Sequence, residues 1–444
     1  MASSYSIAQD NHQSQTGGFG KRWLYFAGAM IAYKILLEQS YIYIAYAYDY
    51  QNLFLNNRTS VASILSWIML FVALPGAKRV FDDNSTSGSV LSLLILFSVV
   101  PTIVAISFRS DYGSTYIMLL SIFWTIFVLA WAMIRPIRFK HLSGIQTNSI
   151  YIVLAVVMSI AVIVYSYINT GLRLHFDLIS VYDIRAEARD FTAPFPFNYL
   201  LSFSDNLLPV IAIYMLVKKR RAAAILIFMV VFINFSITGT KQILFVPIVG
   251  LIGYFVFRKY ISNYGLLGFG AIFAMICNLE VMLSDSGTLN GLFTYRVLFI
   301  PTELHYSYYS YFQSHDLLYY GQSLLKAFSG SGQENIQFII GEYAIGDYTA
   351  RANNGLFSDA YMNLGAVGVL IYPVLLALFL RILDGAMEGL PPSMGLVVVI
   401  YVAFVLLGMT LTSALFTSGL IVLILLLYSF PRGGRGFQQS HRTR

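Results

Sequence analysis

The stretch GSVLSLLILFSVVPTIVAIS, residues 88–107, contains 20 consecutive residues without a charge. A helix of ~20 mostly apolar residues has the length needed to cross the hydrocarbon core of a bilayer. Lipid offers the backbone no hydrogen-bond partner, so a spanning segment must be a helix or belong to a closed barrel. Because the apolar residues here run continuously instead of alternating, the stretch predicts a transmembrane helix.

Comparable stretches recur along the chain of 444 residues, which is 57% apolar and only 11% charged, with a mean hydropathy of +0.69. Soluble domains contain about 25% charged residues, so this composition excludes an ordinary soluble protein. We expect an all-α polytopic membrane protein with about 12 transmembrane helices of ~20 residues each. The predicted spans are 23–46, 60–76, 88–107, 114–134, 149–170, 200–217, 222–237, 242–257, 264–283, 361–380, 393–410 and 412–430.

The distribution of lysine and arginine predicts the orientation of these helices. If the amino terminus is cytoplasmic, 18 of the 28 basic residues lie in inner connections, nine lie outside and Lys34 lies within the first span. This bias follows the positive-inside rule and places both termini in the cytoplasm. We therefore expect a disordered cytoplasmic tail at 1–22, a single transmembrane domain at 23–430 and a basic cytoplasmic tail at 431–444. The net charge of +7 follows this topology and does not indicate a nucleic-acid partner.

Two of the predicted external connections, 171–199 and 284–360, are much longer than the others. Loops longer than ~15 residues within a compact domain are usually functional. Membrane topology does not require basic residues to cluster in these two loops, so we interpret them as a binding surface for an anionic ligand. Six of the nine external basic residues fall there, namely Arg173, Arg185, Arg189, Arg296, Lys326 and Arg351.

In the first loop, Arg185 and Arg189 lie four residues apart. A short helix would present both guanidinium groups on one face, and guanidinium groups bind phosphate oxygens through paired hydrogen bonds. This spacing therefore predicts a phosphate-binding pair. The alternative is local ion pairing with the acidic residues of the same segment, which are Asp183, Glu187 and Asp190.

The second loop contains RVLFIPTELHYSYYSYF, residues 296–312, in which one arginine, one carboxylate and one histidine accompany many aromatic residues. Arg296 lies about one helical turn beyond the end of a predicted span, at the depth of a lipid phosphate, so we expect it to bind phosphate. Glu303 and His305 are candidates for a general base. The alternative for each of these two residues is a structural hydrogen bond.

The candidate sugar-binding residues are Tyr306 and Tyr309 in this stretch and Asn353 and Asn354 near the end of the same loop. Aromatic faces with polar tips suit sugar rings, which present apolar C–H faces and hydroxyl edges. The same tyrosines also suit the aromatic belt at a membrane interface. The two asparagines bring polar groups to the mouth of the next predicted span.

Three further residues are candidates for the same chemistry. Arg351 and Asp359 also lie at the mouth of the span 361–380, Arg351 as a diphosphate ligand and Asp359 as a weaker candidate for the base. The alternative for this segment is a capped helix start, in which Ser358 or Asp359 accepts from free backbone N–H groups. Lys241, in the short external turn TGTKQ, is placed to help hold a diphosphate.

Several common motifs are absent from the sequence. It has no Walker loop, no dinucleotide-binding glycine pattern, no His/Cys metal spacing and no Asp-x-Asp pair. Nucleotide-dependent chemistry therefore has no recognisable site, and we expect neither a cofactor nor a metal. The single cysteine, Cys277, excludes a disulfide within the chain. Lys34 and Glu38 lie four residues apart in the first span, where ionisable residues are costly, and mutual pairing is the simplest explanation for both.

Four stretches carry a resemblance to a known family. They are KILLEQSYIYIAYAYDY at 34–50, TGTKQ at 238–242, TYRVLFIPTELHYSYYSYF at 294–312 and RANNGLFSDAYMNLGAVGVLIYP at 351–373. In these stretches and in the predicted topology, the chain resembles the bacterial oligosaccharide repeat-unit polymerases, the Wzy-type polymerases of O-antigen and capsular polysaccharide. The likeness covers nearly the whole chain.

The resemblance implies a GT-C-like fold plan, shared with the O-antigen ligases, in the bacterial cytoplasmic membrane. It implies metal-independent joining of undecaprenyl-diphosphate-linked repeat units at the outer face. The partners would be the lipid-linked donor and acceptor, membrane lipid and a chain-length regulator. The implied diphosphate ligands are Arg185, Arg189, Arg296, Lys241 and Arg351, and the implied proton acceptors are His305, Glu303 and, more weakly, Asp359.

Three other functions remain open from the sequence. An O-antigen ligase would share the fold plan and differ in the acceptor. A flippase for lipid-linked oligosaccharides, or another transporter, would be polytopic too, although transport sites usually lie near the bilayer midplane on broken helices. A glycosyltransferase that uses polyprenyl-monophosphate sugars ranks last, because the first outer loop offers only Asp49 as an acidic residue.

Overall fold

The computed structural model describes residues 3–51, 53–139, 147–174, 184, 187–188, 190–194, 196–256, 262–284, 287–321 and 335–432. Within these residues all regular structure is helical and no strand occurs, which confirms the all-α expectation for this part of the chain. The α-helices are α1 (Ser3–Ala47), α2 (Ser60–Phe81), α3 (Thr86–Phe108), α4 (Ser114–Met133), α5 (Thr147–Thr170), α6 (Phe197–Val217), α7 (Arg221–Thr238), α8 (Lys241–Val256), α9 (Asn263–Ser284), α10 (Ile300–Phe312), α11 (Ile336–Ile345), α12 (Phe357–Met387), α13 (Gly395–Gly408) and α14 (Leu420–Ser429).

Eight of these helices are long and apolar enough to cross a membrane, counting only the described residues; they are α2 to α7, α9 and α12. The protein is therefore a helical, membrane-embedded protein with several candidate spans. Each of the eight coincides with a span predicted from the sequence. Three other predicted spans, at 242–257, 393–410 and 412–430, correspond to shorter apolar helices.

The first helix differs from the expectation for the amino-terminal tail. Helix α1 begins at Ser3 and continues to Ala47, so residues 3–22 form its beginning instead of an irregular tail. Once a helix is nucleated, each further residue adds one backbone hydrogen bond, and the apolar part of α1 supplies that nucleus. Of the predicted basic tail at 431–444, residues 433–444 lie outside the described residues.

Helix α3 lies at the centre of the molecule, since 94% of its apolar window is buried, whereas only 22% is buried in α9. It packs against α1, α2, α12 and α13, and α4 packs along α12. Small polar residues allow the neighbouring helices to approach α3 closely. Those that are buried include Ser87, Ser89, Ser92, Ser98, Thr102 and Ser107.

The predicted external connection at 284–360 contains regular structure. A π-helix at Asn290–Phe299 runs directly into α10, and α11 follows at Ile336–Ile345. Many residues of α10 are buried, including Glu303 and His305. The connection therefore folds into the protein instead of only extending from it.

Two helical segments are interrupted within apolar sequence. Helix α12 loses helical geometry at Gly365, with φ 58° and ψ −139°. Near the carboxyl end, a π-helix at Ser413–Thr417 is separated from α14 by Ser418 and Gly419, and Gly419 has φ 82°. At membrane depth, non-helical backbone is tolerated where it is buried in protein or lines a cavity.

Other segments stabilise the break in α12. The backbone N–H of Leu318 donates to Met362 O at 2.9 Å, and that of Tyr319 donates to Asn363 O at 3.3 Å. The N–H of Tyr320 donates to the Asn363 side-chain Oδ1 at 2.9 Å. The first two bonds pair backbone carbonyl groups that a continuous helix would use internally, so the interruption is a stable feature of the fold.

The charged pair in the first span is confirmed. The Lys34 ammonium donates to the Glu38 carboxylate, and it lies 3.9 Å from the centre of the Trp67 ring. Lys34 is completely buried. Pairing and ring contact together offset the cost of burying this charge.

Gly365→Ala should destabilise the fold. Its φ and ψ suit glycine almost exclusively, and an added Cβ would lie 3.2 Å from Leu317 Cδ1. We expect a loss of ~1–3 kcal/mol in the free energy of unfolding, measured by thermal unfolding of the purified protein. Gly268→Ala is the matched control because a Cβ there meets nothing within 4 Å. Equal melting temperatures for the two variants would contradict this explanation of the break.

Candidate functional site

A buried carboxylate on α10 is the centre of the polar cluster. Glu303 is 1% exposed. Its Oε1 accepts a hydrogen bond from the Tyr41 hydroxyl at 2.9 Å. Its Oε2 accepts from Arg109 Nη1 at 2.6 Å and from the Tyr112 hydroxyl at 2.7 Å. Both oxygens are therefore occupied by donors from α1 and from the turn between α3 and α4.

Arg109 forms ion pairs with two carboxylates, those of Glu303 and Asp111. Its Nε and Nη2 donate to the two oxygens of Asp111 at 2.8 and 2.7 Å, while Nη1 also donates to Leu53 O at 2.8 Å. The guanidinium lies 4.8 and 5.4 Å from the ring centres of Tyr112 and Tyr306. The network contains two carboxylates and one guanidinium, so Glu303 and Asp111 share Arg109 as their cation within the described residues.

Burial and ion pairing act on the two carboxylates in different proportions. Burial raises the pKa of Glu303, and Arg109 with the tyrosine hydroxyls opposes that rise. Burial also acts to raise the pKa of Asp111, but the hydrogen bonds and the positive charge of Arg109, with further hydrogen bonds, bring the pKa below its ordinary value. Asp111 remains partly accessible, with 33% of its side chain exposed.

Sequence reasoning did not single out Arg109. It was counted among the nine external basic residues, but it lies in the short turn RSDYG instead of a long loop. Its partner Glu303 is 194 residues away in the chain. One sequence feature does indicate a buried ion pair, namely that an arginine directly follows an uncharged span. Burying a guanidinium at such a position is unfavourable unless a carboxylate pairs with it.

His305 lies two residues after Glu303, about 200° further around α10, in a separate neutral cluster. Its Nδ1 is 2.8 Å from Ser358 Oγ, and its Nε2 is 3.4 Å from Ser98 Oγ. Asn354 Nδ2 donates to Pro301 O at 3.0 Å and to Ser358 Oγ at 2.9 Å. Burial lowers the pKa of His305 to about 3, so the imidazole is neutral at physiological pH.

Asp359 connects α12 to the segment before the last π-helix. Its Oδ1 accepts from Asn363 Nδ2 at 2.8 Å, and its Oδ2 accepts from the backbone N–H of Leu411 at 2.6 Å. The capping alternative is not what the structure shows, because the N-cap position of α12 is Leu356 and no side chain caps it.

The arginines predicted to bind diphosphate lie in different places. Arg296 is exposed on the π-helix that precedes α10, and Arg351 is exposed before α12 with its guanidinium 5.1 Å from the Phe338 ring centre. Arg185 and Arg189 lie outside the described residues, as does the side chain of Lys241. Their predicted roles remain predictions.

Arg173, in the same loop, forms a local ion pair with an acidic residue, which is the alternative to phosphate binding for the arginines of this loop. Its guanidinium donates to the carboxylate of Glu187. Both side chains are 42% exposed. An exposed pair of this kind is weak, so it leaves Arg173 available for exchange with a stronger anion.

The predicted sugar-binding residues also differ in accessibility. Asn353 is exposed and Tyr306 is partly exposed, whereas Asn354 and Tyr309 are buried. Tyr306 packs against Tyr112 with ring centres 4.4 Å apart, and its hydroxyl donates to Asp111 O at 3.2 Å. The Tyr309 hydroxyl accepts from Gln313 Nε2 at 2.7 Å. Tyr306 is therefore the tyrosine of the pair with accessible surface.

No family model, no curated protein and no solved structure matches the chain. Among the described residues there is also no group of three or more His, Cys, Asp or Glu side chains placed to hold a metal ion. The resemblance of the four sequence stretches to repeat-unit polymerases therefore remains an expectation.

The shared cation predicts unequal effects of two substitutions. Arg109→Gln leaves Glu303 and Asp111 without their cation and should cost about 3–5 kcal/mol of unfolding free energy. Glu303→Gln leaves Arg109 paired with Asp111 and should cost less, ~1–3 kcal/mol. Thermal unfolding of both purified variants measures the difference.

Arg138→Gln is the matched control for this comparison, because its pair with Glu388 is exposed on both sides and exposed pairs contribute only ~0–1 kcal/mol. The shared-cation account fails if Glu303→Gln lowers the melting temperature more than Arg109→Gln does.

The lowered pKa of His305 predicts a pH dependence of stability. Between the unfolded value of 6.5 and the folded value of about 3, the unfolded chain binds one proton more than the folded chain at this residue. Stability should therefore fall as pH falls through this window, by about 1.4 kcal/mol per pH unit at most. His305→Gln should remove this contribution, and melting temperatures from pH 4 to 7 measure it. An unchanged slope in the variant would show that another group is responsible.

Proposed function

We propose that the protein joins polyprenyl-diphosphate-linked oligosaccharide repeat units into a polysaccharide at the outer face of a bacterial cytoplasmic membrane. The observation that carries the proposal is that residues 290–312 combine buried ionisable side chains with accessible polar ones. This segment buries Glu303 and His305 in the protein while Arg296 and Tyr306 remain accessible. The resemblance of the same segment to the repeat-unit polymerases supports this assignment.

The proposal includes a count of twelve spans with both termini in the cytoplasm. Eight of these spans are the long apolar helices. The other four are the apolar part of α1, α8, α13 and the interrupted last segment that ends with α14. The positive-inside bias supports this orientation. It places the Arg109 turn, the π-helix at Asn290–Phe299 and the start of α12 together on the outer side.

The substrate diphosphate would bind to exposed guanidinium groups. Arg296 and Arg351 are exposed on two segments of the outer connection, and Arg185 and Arg189 belong to the other long loop. Guanidinium groups bind diphosphate oxygens in pairs and remain charged at any relevant pH. Fixed positive charge of this kind stabilises the leaving group as its negative charge develops. Lys241, at the start of α8, is the further candidate.

Among the three candidate bases, His305 suits proton transfer best. All oxygens of Glu303 and Asp359 accept hydrogen bonds from donors at 2.9 Å or less. The His305 Nε2, by contrast, has a contact of only 3.4 Å with Ser98 Oγ, which is a poor hydrogen bond. The tautomer that can accept a proton at Nε2 carries its own proton on Nδ1, which lies 2.8 Å from Ser358 Oγ and 3.2 Å from Asn354 Nδ2. We assign Glu303 a positioning role for α10.

The proposed reaction transfers the growing chain to the incoming repeat unit. A hydroxyl oxygen of the acceptor's terminal sugar attacks the anomeric carbon of the donor, and the bond from that carbon to the diphosphate oxygen breaks. The diphosphate leaves with the electron pair, and the hydroxyl proton passes to His305 Nε2. This nitrogen is buried beside Ser98 in the structure, so the bound acceptor would have to enter that cluster to reach it. A bound diphosphate would also raise the pKa of a nearby imidazole through its negative charge.

Reconstitution tests this proposal. Purified protein in liposomes, supplied with one lipid-linked repeat unit and no ion gradient, should produce a ladder of polymer on a gel. Arg296→Ala should lose the ladder, and His305→Gln should lower the rate by about 10²–10⁴, as for loss of a general base. Arg221→Ala, at the start of α7 on the opposite side, should retain it.

The proposal is wrong if folded wild-type protein makes no polymer from a competent substrate, or if Arg296→Ala makes chains of wild-type length. Transfer of finished chains to a lipid A core acceptor in the same liposomes would identify a ligase instead.

A transporter or flippase is the second candidate, and one observation favours it. Helix α12 is interrupted at Gly365 and the last segment is interrupted at Ser418 and Gly419, and transport sites commonly lie on discontinuous helices. Movement of a labelled lipid-linked oligosaccharide across the liposome membrane, without polymer formation, would support this function over the polymerase.

A further inference from the structure

We propose that one exposed face of α10, together with the α3–α4 turn and α11, binds the uncharged sugar rings of the substrate's oligosaccharide. This sugar surface consists of Asp111, Tyr306, Ser310 and Tyr343, and Asp111 is its specificity-determining residue. The inference rests on the proposed function, since it names the part of the lipid-linked substrate that these residues recognise. Sequence reasoning singled out only Tyr306 among the four.

Asp111 is the accessible carboxylate of the charged network. Its two oxygens accept hydrogen bonds from Arg109 Nε and Nη2 at 2.8 and 2.7 Å, and 33% of its side chain is exposed. Burial acts to raise the pKa of Asp111, but Arg109 outweighs burial and lowers that pKa, so the group is ionised at neutral pH. A carboxylate has about four lone-pair sites, and its exposed part can therefore accept further hydrogen bonds from a ligand.

Tyr306 lies directly beside Asp111. Its hydroxyl donates to the backbone oxygen of Asp111 at 3.2 Å, and its ring centre lies 5.4 Å from the Arg109 guanidinium. Tyr112 packs on the ring, yet part of Tyr306 remains accessible. An accessible aromatic ring beside an ionised carboxylate suits a sugar, because apolar C–H groups contact the ring and hydroxyl groups donate to the carboxylate.

Ser310 and Tyr343 extend the surface along α10. Ser310 follows Tyr306 by four residues and therefore lies on the same face of the helix. Its hydroxyl is 3.0 Å from the hydroxyl of Tyr343 on α11. Tyr343 is 52% exposed, and its ring packs against Tyr311 with centres 5.4 Å apart. Two hydroxyl groups and a second aromatic ring thus continue the surface about one helical turn beyond Tyr306.

Charge separates the sugar surface from the predicted diphosphate ligands. In the described part of the chain, the cation in contact with Asp111 is Arg109, which Glu303 already shares. The negative charge of Asp111 repels a phosphate group, whereas an uncharged hydroxyl group donates to it. The diphosphate therefore suits the exposed guanidinium of Arg296, and the same repulsion at Asp111 disfavours a sugar that carries its own carboxylate or phosphate.

An aromatic belt at the membrane interface is the alternative explanation for Tyr306 and Tyr343. A belt requires only amphipathic rings and gives no role to the ionised carboxylate beside them. Glu303 alone would pair Arg109, so the second, exposed carboxylate is not needed to bury that guanidinium. Asp111 is therefore the residue that distinguishes a sugar surface from a belt.

A glycan-binding experiment without lipid-linked substrate tests the inference. Full-length protein in nanodiscs is applied to immobilised uncharged oligosaccharides and to matched derivatives in which one primary hydroxyl group is oxidised to a carboxylate. Wild-type protein should bind uncharged glycans and prefer them to their oxidised partners. Asp111→Asn should weaken binding of the uncharged glycans about tenfold, because a neutral acceptor replaces a charged one, and should reduce the preference. Asp49→Asn, which changes another exposed carboxylate, should bind like the wild type.

Tyr343→Ala decides the question if Asp111→Asn does not yield folded protein, since Tyr343 lies outside the charged network. Loss of its ring should weaken glycan binding about fivefold. Tyr46→Ala is the matched control, because Tyr46 is an 85% exposed tyrosine at the end of α1, and it should leave binding unchanged. Equal losses in Tyr343→Ala and Tyr46→Ala would indicate an aromatic belt and overturn the inference.

The inference is also overturned if wild-type protein binds none of the glycans, or if folded Asp111→Asn binds them like the wild type. Its failure is distinguishable from failure of the proposed function. Polymer formation in liposomes with an unchanged KM in Asp111→Asn would refute the sugar surface alone. Glycan binding that depends on Asp111, without polymer from a competent substrate, would refute the proposed reaction and leave the sugar surface standing.

Discussion

The ion pair between Arg109 and Glu303 is the interaction on which the position of residues 290–312 depends. Glu303 lies on α10, Arg109 lies in the turn between α3 and α4, and Tyr41 reaches the same carboxylate from α1. A buried carboxylate is stable only when it is paired and fully hydrogen-bonded. Because three donors converge on it from two other parts of the chain, Glu303 fixes the position of the whole segment 290–312.

This anchoring combines buried and exposed side chains in one segment. Glu303 lies in the charged network, and His305 lies in the neutral cluster with Ser358 and Asn354. Arg296 of the same segment is exposed. In the proposed reaction, a substrate with a charged diphosphate and a polar sugar would meet the exposed side chains, while the lipid tail remained among apolar helices. Rigid support below an accessible charged surface is what electrostatic stabilisation of a leaving group requires.

Continuous apolar runs predicted most of the fold, and local spacing predicted the Lys34–Glu38 pair, because both signals lie within a few neighbouring residues. The partnership of Arg109 with Glu303 joins residues 194 positions apart, and no periodicity connects them. Residues 290–312 were interpreted as part of a loop because their polar and aromatic composition lacks an apolar run, yet they fold into the protein. The break at Gly365 could not be predicted from the sequence either, because a glycine within an apolar run is compatible with an intact helix.

The most direct measurement is a cryo-EM structure of the protein in nanodiscs with a non-hydrolysable lipid-linked repeat unit bound. The account predicts diphosphate density within hydrogen-bonding distance of the Arg296 guanidinium, about 3 Å, while Glu303 remains bonded to Arg109. Diphosphate density that replaces Arg109 at Glu303, or that lies away from the segment 290–312 altogether, would contradict it.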